Sequence, residues 1–313
     1  MKDILITGAN GYVGSALIKS LKGRNVIAID RVSAGDHNYK ESEFFNFDLN
    51  CIPSETKKNL FEFSGIVIHL AAARADNAEV STYQLDNIEA TNALIKTLNP
   101  TKIEKFIQIG SVAAIDGKEL ENKNIYPKNS DDWYRLSKFK QQVLIEKWAT
   151  ENCVPRVILA PSAIYDEHAG QNSTNIGRLE KVVRLLRIVP SINILKSLTS
   201  MPLLINAIKD LTDMAEEKKL PKENAHCKRY IVIDQPVMTV TDICKDKFNA
   251  KLVFYIPKLK FLLMVIAILI EMLGLEKRVP LSKGRVNKLF RSTAYCGDHG
   301  YDDWNNEKFN KFP

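Results

Sequence analysis

Residues 4–14, Ile4-Leu5-Ile6-Thr7-Gly8-Ala9-Asn10-Gly11-Tyr12-Val13-Gly14, run from a short apolar segment into a glycine-rich turn. A helix-like stretch, Ser15-Ala16-Leu17-Ile18-Lys19-Ser20-Leu21, leaves it. A turn this tight needs glycine where the backbone takes positive φ or where a ligand must touch the main chain. The N-terminus of the following helix offers free N–H groups and the positive end of a dipole, a seat for a pyrophosphate. The opening therefore reads as strand, phosphate-binding turn and helix.

The chain repeats that alternation. Val26–Asp30 reads as a second buried strand ending in an acid, and Phe44–Leu49 as a third, closing on Asp48-Leu49. Gly65–Leu70 is a fourth, opening onto the small-residue turn Ala71-Ala72-Ala73. Glu89–Leu98 is predicted helical, Lys105–Ile109 is a fifth strand ending at Gly110-Ser111, and a long helix is expected over 131–151. Pro155–Ala160 is a sixth strand. Apolar runs alternating with helical patterns predict an α/β fold, a doubly wound parallel sheet with its ligand along one edge. Beyond Ala160 the pattern loosens into helices over 176–188 and 206–218, a late strand at 229–233 and a threonine-capped helix starting at Thr239. The expected division is a cofactor-binding domain over 1–160 and a substrate-capping region over 161–313.

At 313 residues the chain can bury a sizeable core, and its 44 Lys plus Arg against 37 Asp plus Glu give a net charge of +7. The basic residues are dispersed without an aromatic-interleaved stripe, which argues against a nucleic-acid partner. Cys51, Cys153, Cys227, Cys244 and Cys296 are far apart and odd in number, so reduced thiols in a cytoplasmic protein are expected and no metal is assigned. The apolar run after Met1 is too short for a signal peptide. The run Phe261–Ile270, with Lys258 and Lys260 before it, falls well short of the roughly 20 residues a bilayer span needs. A buried helix is the favoured reading. Weak peripheral contact with an anionic membrane through 259–275 is the alternative.

The spacing Thr7-Gly8-x-x-Gly11-x-x-Gly14 resembles the short-chain dehydrogenase/reductase superfamily, specifically its extended branch of nucleotide-sugar epimerases and dehydratases. That resemblance implies a Rossmann sheet holding NAD, with Gly8, Asn10, Gly11, Tyr12, Val13 and Gly14 forming the cofactor turn. Asp30 stands where an acid accepts the adenosine ribose hydroxyls and repels a 2′-phosphate, favouring NAD over NADP. Arg31 leaves the alternative open, since a basic neighbour can accommodate that phosphate. The resemblance also puts Asp48 and Leu49 beside adenine, and Leu70, Ala71 and Ala72 along the ribose and pyrophosphate. Asn87 matches a family asparagine near that turn, and Pro161 and Ile164 complete the cofactor candidates.

Ser111 with Tyr134-Arg135-Leu136-Ser137-Lys138 carries the chemistry. Tyrosine and lysine four apart on a helix share one face. A phenol titrates near pH ~10 unperturbed, so it needs a nearby cation to act as a base at neutral pH. Lys138 supplies that cation and can hold the nicotinamide ribose, while Ser111 would bind the substrate hydroxyl. Arg74 and Asn175 join Ser111 as substrate candidates, Asn175 matching the family asparagine near the sugar nucleotide's phosphates.

Leu159–Tyr165 resembles the Arg-Pro-x-x-Val-Tyr-Gly-Pro segment of the family, with Ala160 in place of arginine and Asp166-Glu167 in place of Gly-Pro. No Asp-Glu pair follows Ser111, where 4,6-dehydratases of the family carry their acid and base. The expectation is an NAD-dependent epimerase of a nucleotide-activated sugar, UDP-linked and inverted at C4 through a 4-keto intermediate, in surface polysaccharide synthesis. A reductase of 4-ketosugars using NAD(P)H and a non-catalytic dinucleotide-binding scaffold are the rivals. Family relatives imply a homodimer through the helix carrying Tyr134 and its neighbour.

Overall fold

The computed structural model describes residues 3–33, 42–73, 79–127, 129–166, 175–213, 227–274, 281–296 and 302–303. The chain opens with β1 (Asp3–Thr7), α1 (Tyr12–Ser20), β2 (Val26–Asp30), β3 (Ser42–Asn46), α2 (Ser54–Glu62) and β4 (Gly65–His69). A helix then runs from α3 (Val80–Tyr83) through a π-helical stretch, Gln84–Glu89, into α4 (Ala90–Thr97). Next come β5 (Ile103–Ile109), α5 (Ala113–Asn122), α6 (Ser130–Glu151) and β6 (Arg156–Pro161). After β7 (Ala163–Tyr165) follow α7 (Asn175–Leu186), β8 (Ile188–Pro190), β9 (Leu195–Lys196), β10 (Leu198–Ser200) and α8 (Met201–Asp213). The described chain ends with β11 (Lys228–Val232), β12 (Met238–Thr239), α9 (Val240–Asp246), β13 (Leu252–Phe254), α10 (Leu259–Met272), α11 (Lys283–Leu289) and β14 (Asp302–Asp303).

Among the described residues, eight strands form one parallel sheet in the order β14-β11-β6-β5-β4-β1-β2-β3. The order reverses between β1 and β4, so the crevice of the doubly wound fold opens at the C-terminal end of β1, where Gly8 stands. Alternation along β1 divides its side chains. Leu5 joins Val67 and Phe106 in a core closed by Leu60 of α2, Leu94 of α4 and Ile145 of α6. Ile4 and Ile6 point to the other face and are equally buried. α1 and α8 pack against each other with Leu17, Leu204 and Ile208 fully buried.

The chain divides into two units, but not sequentially. The first takes residues 1–162, 201–233 and 296–313, and the second 163–200 and 234–295. The expected break near 160 is thus the first of several crossings. The chain returns because β11 adds to the sheet in parallel register beside β6, Arg229 opposite Ile158 and Ile231 opposite Ala160. Arg229 then fixes that strand to α6 through Glu146, at 2.6 and 2.7 Å.

The second unit has its own core of Tyr165, Val183, Val189, Ile192, Leu198, Val240, Ile243 and Phe248. Within it, the Asp234 carboxylate accepts the Tyr165 hydroxyl at 2.7 Å and the Ser200 hydroxyl at 2.8 Å. Thr239 caps α9 as the sequence predicts, accepting the Asp242 N–H. α10 corrects an expectation. The run 261–270 is helical but not a buried helix: Leu259, Ala267 and Ile270 face inward, while eight apolar side chains from Phe261 to Leu273 are exposed.

Candidate active site

Gly8 has φ +72°, and a Cβ there would strike the backbone of Leu70 and Ala71. A Cβ at Gly14 would strike the carbonyl oxygens of Gly8 and Ala9, so α1 closes on the turn only with glycine at that position. The Gly11 N–H donates to the Gly8 carbonyl at 3.0 Å, and Gly11 caps α1, which starts at Tyr12 and Val13. Bare main chain therefore lines the helix N-terminus where a pyrophosphate would sit.

Asp30 ends β2 and fixes the same turn. Its carboxylate accepts the Asn10 N–H and the Val32 N–H, both at 2.9 Å, while the Asn10 amide donates to the Val32 carbonyl at 2.7 Å. Each carboxylate oxygen keeps a lone pair for a ribose hydroxyl. Arg31 is committed elsewhere. Asp86 takes its guanidinium in a two-pronged pair at 2.8 Å, and Asp48 stands 3.6 Å away. Those hydrogen bonds raise the arginine's pKa further, and two carboxylates cancel the charge a 2′-phosphate would need. Asp48 also accepts the Asn50 N–H and caps the short helical turn Leu49–Cys51, with Leu49 buried beneath it.

The turn after β4 is pinned from two sides. The Leu70 N–H donates to the Thr7 carbonyl, and the Ala73 N–H donates to Asn87 Oδ1 at 2.6 Å. Ala71 and Ala72 lie between these anchors. Asn87 is fully buried in the π-helical stretch, a local widening that is common at functional sites. Its amide donates to Ser137 Oγ at 2.8 Å, and Ser137 donates to the Tyr134 carbonyl at 2.8 Å. One asparagine thus ties the turn after β4 to the helix that carries Tyr134.

Lys138, one turn beyond Tyr134 on α6, is buried, and desolvation pushes its pKa down to about 8. Its ammonium donates to Gln141 Oε1 at 3.1 Å, and the Gln141 amide donates to Thr91 Oγ1 at 2.9 Å. His69, closing β4, bonds Thr91 through Nε2 at 2.8 Å and Thr7 through Nδ1 at 2.7 Å. Burial first, and the Lys138 charge second, push the imidazole down to about 3, so it stays neutral. A buried polar chain therefore runs from the residue before Gly8 to the lysine. The sequence reading missed Thr7, Thr91 and Gln141. The available signal was spacing: Thr91 lies four residues after Asn87, and Gln141 three after Lys138.

Tyr134 is half-buried, its ring 6.0 Å from that of Tyr83. Ser111 stands two residues past β5, after Gly110, and its hydroxyl accepts the Ala113 N–H at 3.2 Å, turning the chain into α5. Pro161 closes β6 and accepts the Val112 N–H through its carbonyl. The C-terminal sheet edge thus gathers Gly8, Asp30, Leu70, Ser111 and Pro161, and the described bonds join Tyr134 and Lys138 to it. Ile164 lies on β7 of the second unit, and Asn175 starts α7 there. Arg74 lies outside the described residues.

A UDP-glucose 4-epimerase of Vibrio cholerae is 26% identical over 190 residues, 57% of this chain and 56% of that protein. A putative UDP-glucose 4-epimerase of Methanocaldococcus jannaschii is 28% identical over 173 residues, 52% of this chain and 56% of that protein. A hybrid PKS-NRPS synthetase of Penicillium citrinum is 27% identical over 207 residues, which are 60% of this chain and 5% of the synthetase. The aligned part thus spans little more than half of the two epimerases. Among solved structures, a UDP-glucuronic acid 4-epimerase from Bacillus cereus in complex with NAD has the same fold, with TM-score 0.61 and 19% identity, over 82% of this chain and 86% of that one. The terminal R domain of the myxalamid PKS-NRPS pathway does too, with TM-score 0.66 and 16% identity, over 93% of this chain and 77% of that one. The glycine turn and Asp30 fit NAD, and the model of the NAD dependent epimerase/dehydratase family matches residues 4–201, well over half of the sequence: the chain belongs to that family.

Proposed function

We propose that the chain epimerises a nucleotide-activated hexose, UDP-linked, at C4 through a transient 4-keto sugar, in the synthesis of surface polysaccharide. The observation that carries the reading is Lys138, a buried cation held by Gln141 one helical turn from Tyr134 and linked through His69 to the residue before the glycine turn. In this reading Gly8 to Gly14 and Asp30 hold the dinucleotide, which supplies a hydride acceptor that returns the hydride later. Tyr134 as phenolate takes the proton of the C4 hydroxyl and gives it back to the 4-keto oxygen after the sugar has turned over. Ser111 hydrogen-bonds the same oxygen and fixes its distance from Tyr134. Lys138 stabilises the phenolate by its charge. No net oxidation occurs, so the cofactor stays bound between cycles.

The folded Lys138 titrates at about 8, so its cation is lost as pH rises through that value. The alkaline limb of kcat/KM accordingly falls from about pH 8 upward, which a pH–rate profile reads directly. The experiment that tests the reaction incubates purified protein with UDP-glucose, UDP-galactose and their N-acetyl forms without added reductant. Interconversion of one pair supports the reading. Failure with all of them sinks it.

A second reading, an NAD(P)H-dependent reductase of 4-ketosugars, draws on the same Tyr134 and Lys138 pair with a dinucleotide turn. It requires stoichiometric reduced cofactor, which separates it from the first. The homodimer is part of the same proposal and is checked by light scattering in solution.

A further inference from the structure

α10 has the sequence Leu259-Lys260-Phe261-Leu262-Leu263-Met264-Val265-Ile266-Ala267-Ile268-Leu269-Ile270-Glu271-Met272. A helix on a protein surface ordinarily turns an apolar stripe inward and polar residues outward. Here the inward strip is narrow: Leu259, Leu263, Ala267 and Ile270 follow one another at intervals of four, four and three. Apart from Lys260 and Glu271 the rest of the helix is apolar and mostly open, with Phe261 at 68% and Met272 at 77% exposure. Leu262, Val265, Ile266, Ile268, Leu269 and Leu273 are exposed with them. Just before the helix, β13 and Tyr255 add Leu252, Phe254 and the tyrosine itself, which is 78% exposed. A contiguous apolar surface of this kind marks an interaction site.

We propose that this face docks on an anionic lipid bilayer, with α10 lying flat at the level of the headgroups. Charge selects the partner. From 248 to 270 the sequence carries Lys251, Lys258 and Lys260 and no acid, and all three lysines are exposed. The nearby Glu271 carboxylate is bound by Lys283 at 2.6 Å, so it does not offset them. A bilayer supplies both halves of the match, an apolar interior for the leucines and anionic headgroups for the ammonium groups. A second copy of the chain matches less well. A two-fold contact would bring a second set of the same lysines and no acid from 248 to 270 to balance them. Length fixes the pose: 14 residues reach about 21 Å against a hydrocarbon core of about 30 Å, and no described helix is long and apolar enough to cross a membrane.

The test is flotation of the full chain with phosphatidylcholine vesicles, with and without phosphatidylglycerol. The chain co-floats with the anionic vesicles, and binding falls as salt rises. Phe261→Gln with Leu269→Gln lowers partitioning roughly tenfold or more. Lys258→Gln with Lys260→Gln lowers it on anionic vesicles only. Circular dichroism and melting confirm that both variants fold, and neither pair touches the residues that would hold the dinucleotide. The proposal is overturned if wild type stays with the unbound fraction, or if it floats equally well after the Phe261 and Leu269 changes. It is also overturned if wild type self-associates in solution through contacts that those changes abolish. Sugar conversion is independent of every arm, so the reaction and the docking surface fail separately.

Discussion

The two units depart from the apolar-in, polar-out rule most strongly in different ways. In the first, polar side chains go inside: Thr7, His69, Asn87, Thr91, Ser137, Lys138 and Gln141 are all buried, and the described bonds join them into one network. In the second, apolar side chains go outside, along α10 and β13. Buried polar groups are tolerated only when hydrogen-bonded, so each member of the first set constrains its neighbours. Exposed apolar groups constrain nothing within the fold. Substitutions in the first unit should therefore register in chemistry and stability, and those on α10 only in what the protein touches.

Four measurements sharpen or break that contrast. Tyr134→Phe removes the proposed proton acceptor and lowers kcat by about 10²–10⁴-fold, with the melting temperature little changed. A variant that keeps full activity in UDP-sugar conversion defeats the chemical assignment. The second is acid stability. The unfolded imidazole of His69 binds a proton near pH 6.5, and the folded one resists down to about 3. Its contribution is complete above pH 6.5 and is lost as pH falls from there toward 3, about 2–3 kcal/mol by pH 4.5. Denaturant unfolding at pH 7 and 4.5 reads this, and His69→Gln flattens the slope.

Third, Asn87→Ala strands the Ala73 N–H and one bond of Ser137 in a buried place, costing about 1–3 kcal/mol of stability by chemical denaturation. It also loosens the turn at 71–73, so NAD binding measured by calorimetry weakens. The smallest effect is on α10. Phe261→Gln changes unfolding free energy by less than about 0.5 kcal/mol, because most of the ring is exposed. A larger loss would mean that the face is covered within the protein itself.

β1, β2, β4, β5 and β6 of the first unit are legible because each is rich in Ile, Val or Leu and is bounded by Gly, Asp or Pro. β2 and β4 lie within one residue of expectation, and β5 starts two residues earlier. The third strand, expected to reach Leu49, ends at Asn46, since Asp48 caps a helical turn instead. The early helix begins at Val80 rather than Glu89, because its π-helical middle breaks the 3.6-residue period by which helices are recognised.

No element is expected from the sequence over 113–122, where α5 forms around Gly117. The structure gives the reason for the glycine: a Cβ there would strike the Arg135 carbonyl of α6. The return of β11 to the sheet was not legible, since pairing across some seventy residues leaves no local trace. Nor was the exposure of α10, because an all-apolar run has no polar face to show which side looks outward. Within the candidate site, Ser111, Tyr134 and Lys138 could be read as spacing, whereas Gln141 and His69 gain their roles only from distances across the fold.

The ion pair between Arg31 and Asp86 bears on how this protein could change its diet of coenzymes. The cation that a phosphorylated ribose would call for is already present one residue after Asp30, kept occupied by two acids. A switch of preference would therefore proceed by subtraction. Neutralise Asp30 and Asp86, and an arginine that now serves as a strut becomes a receptor.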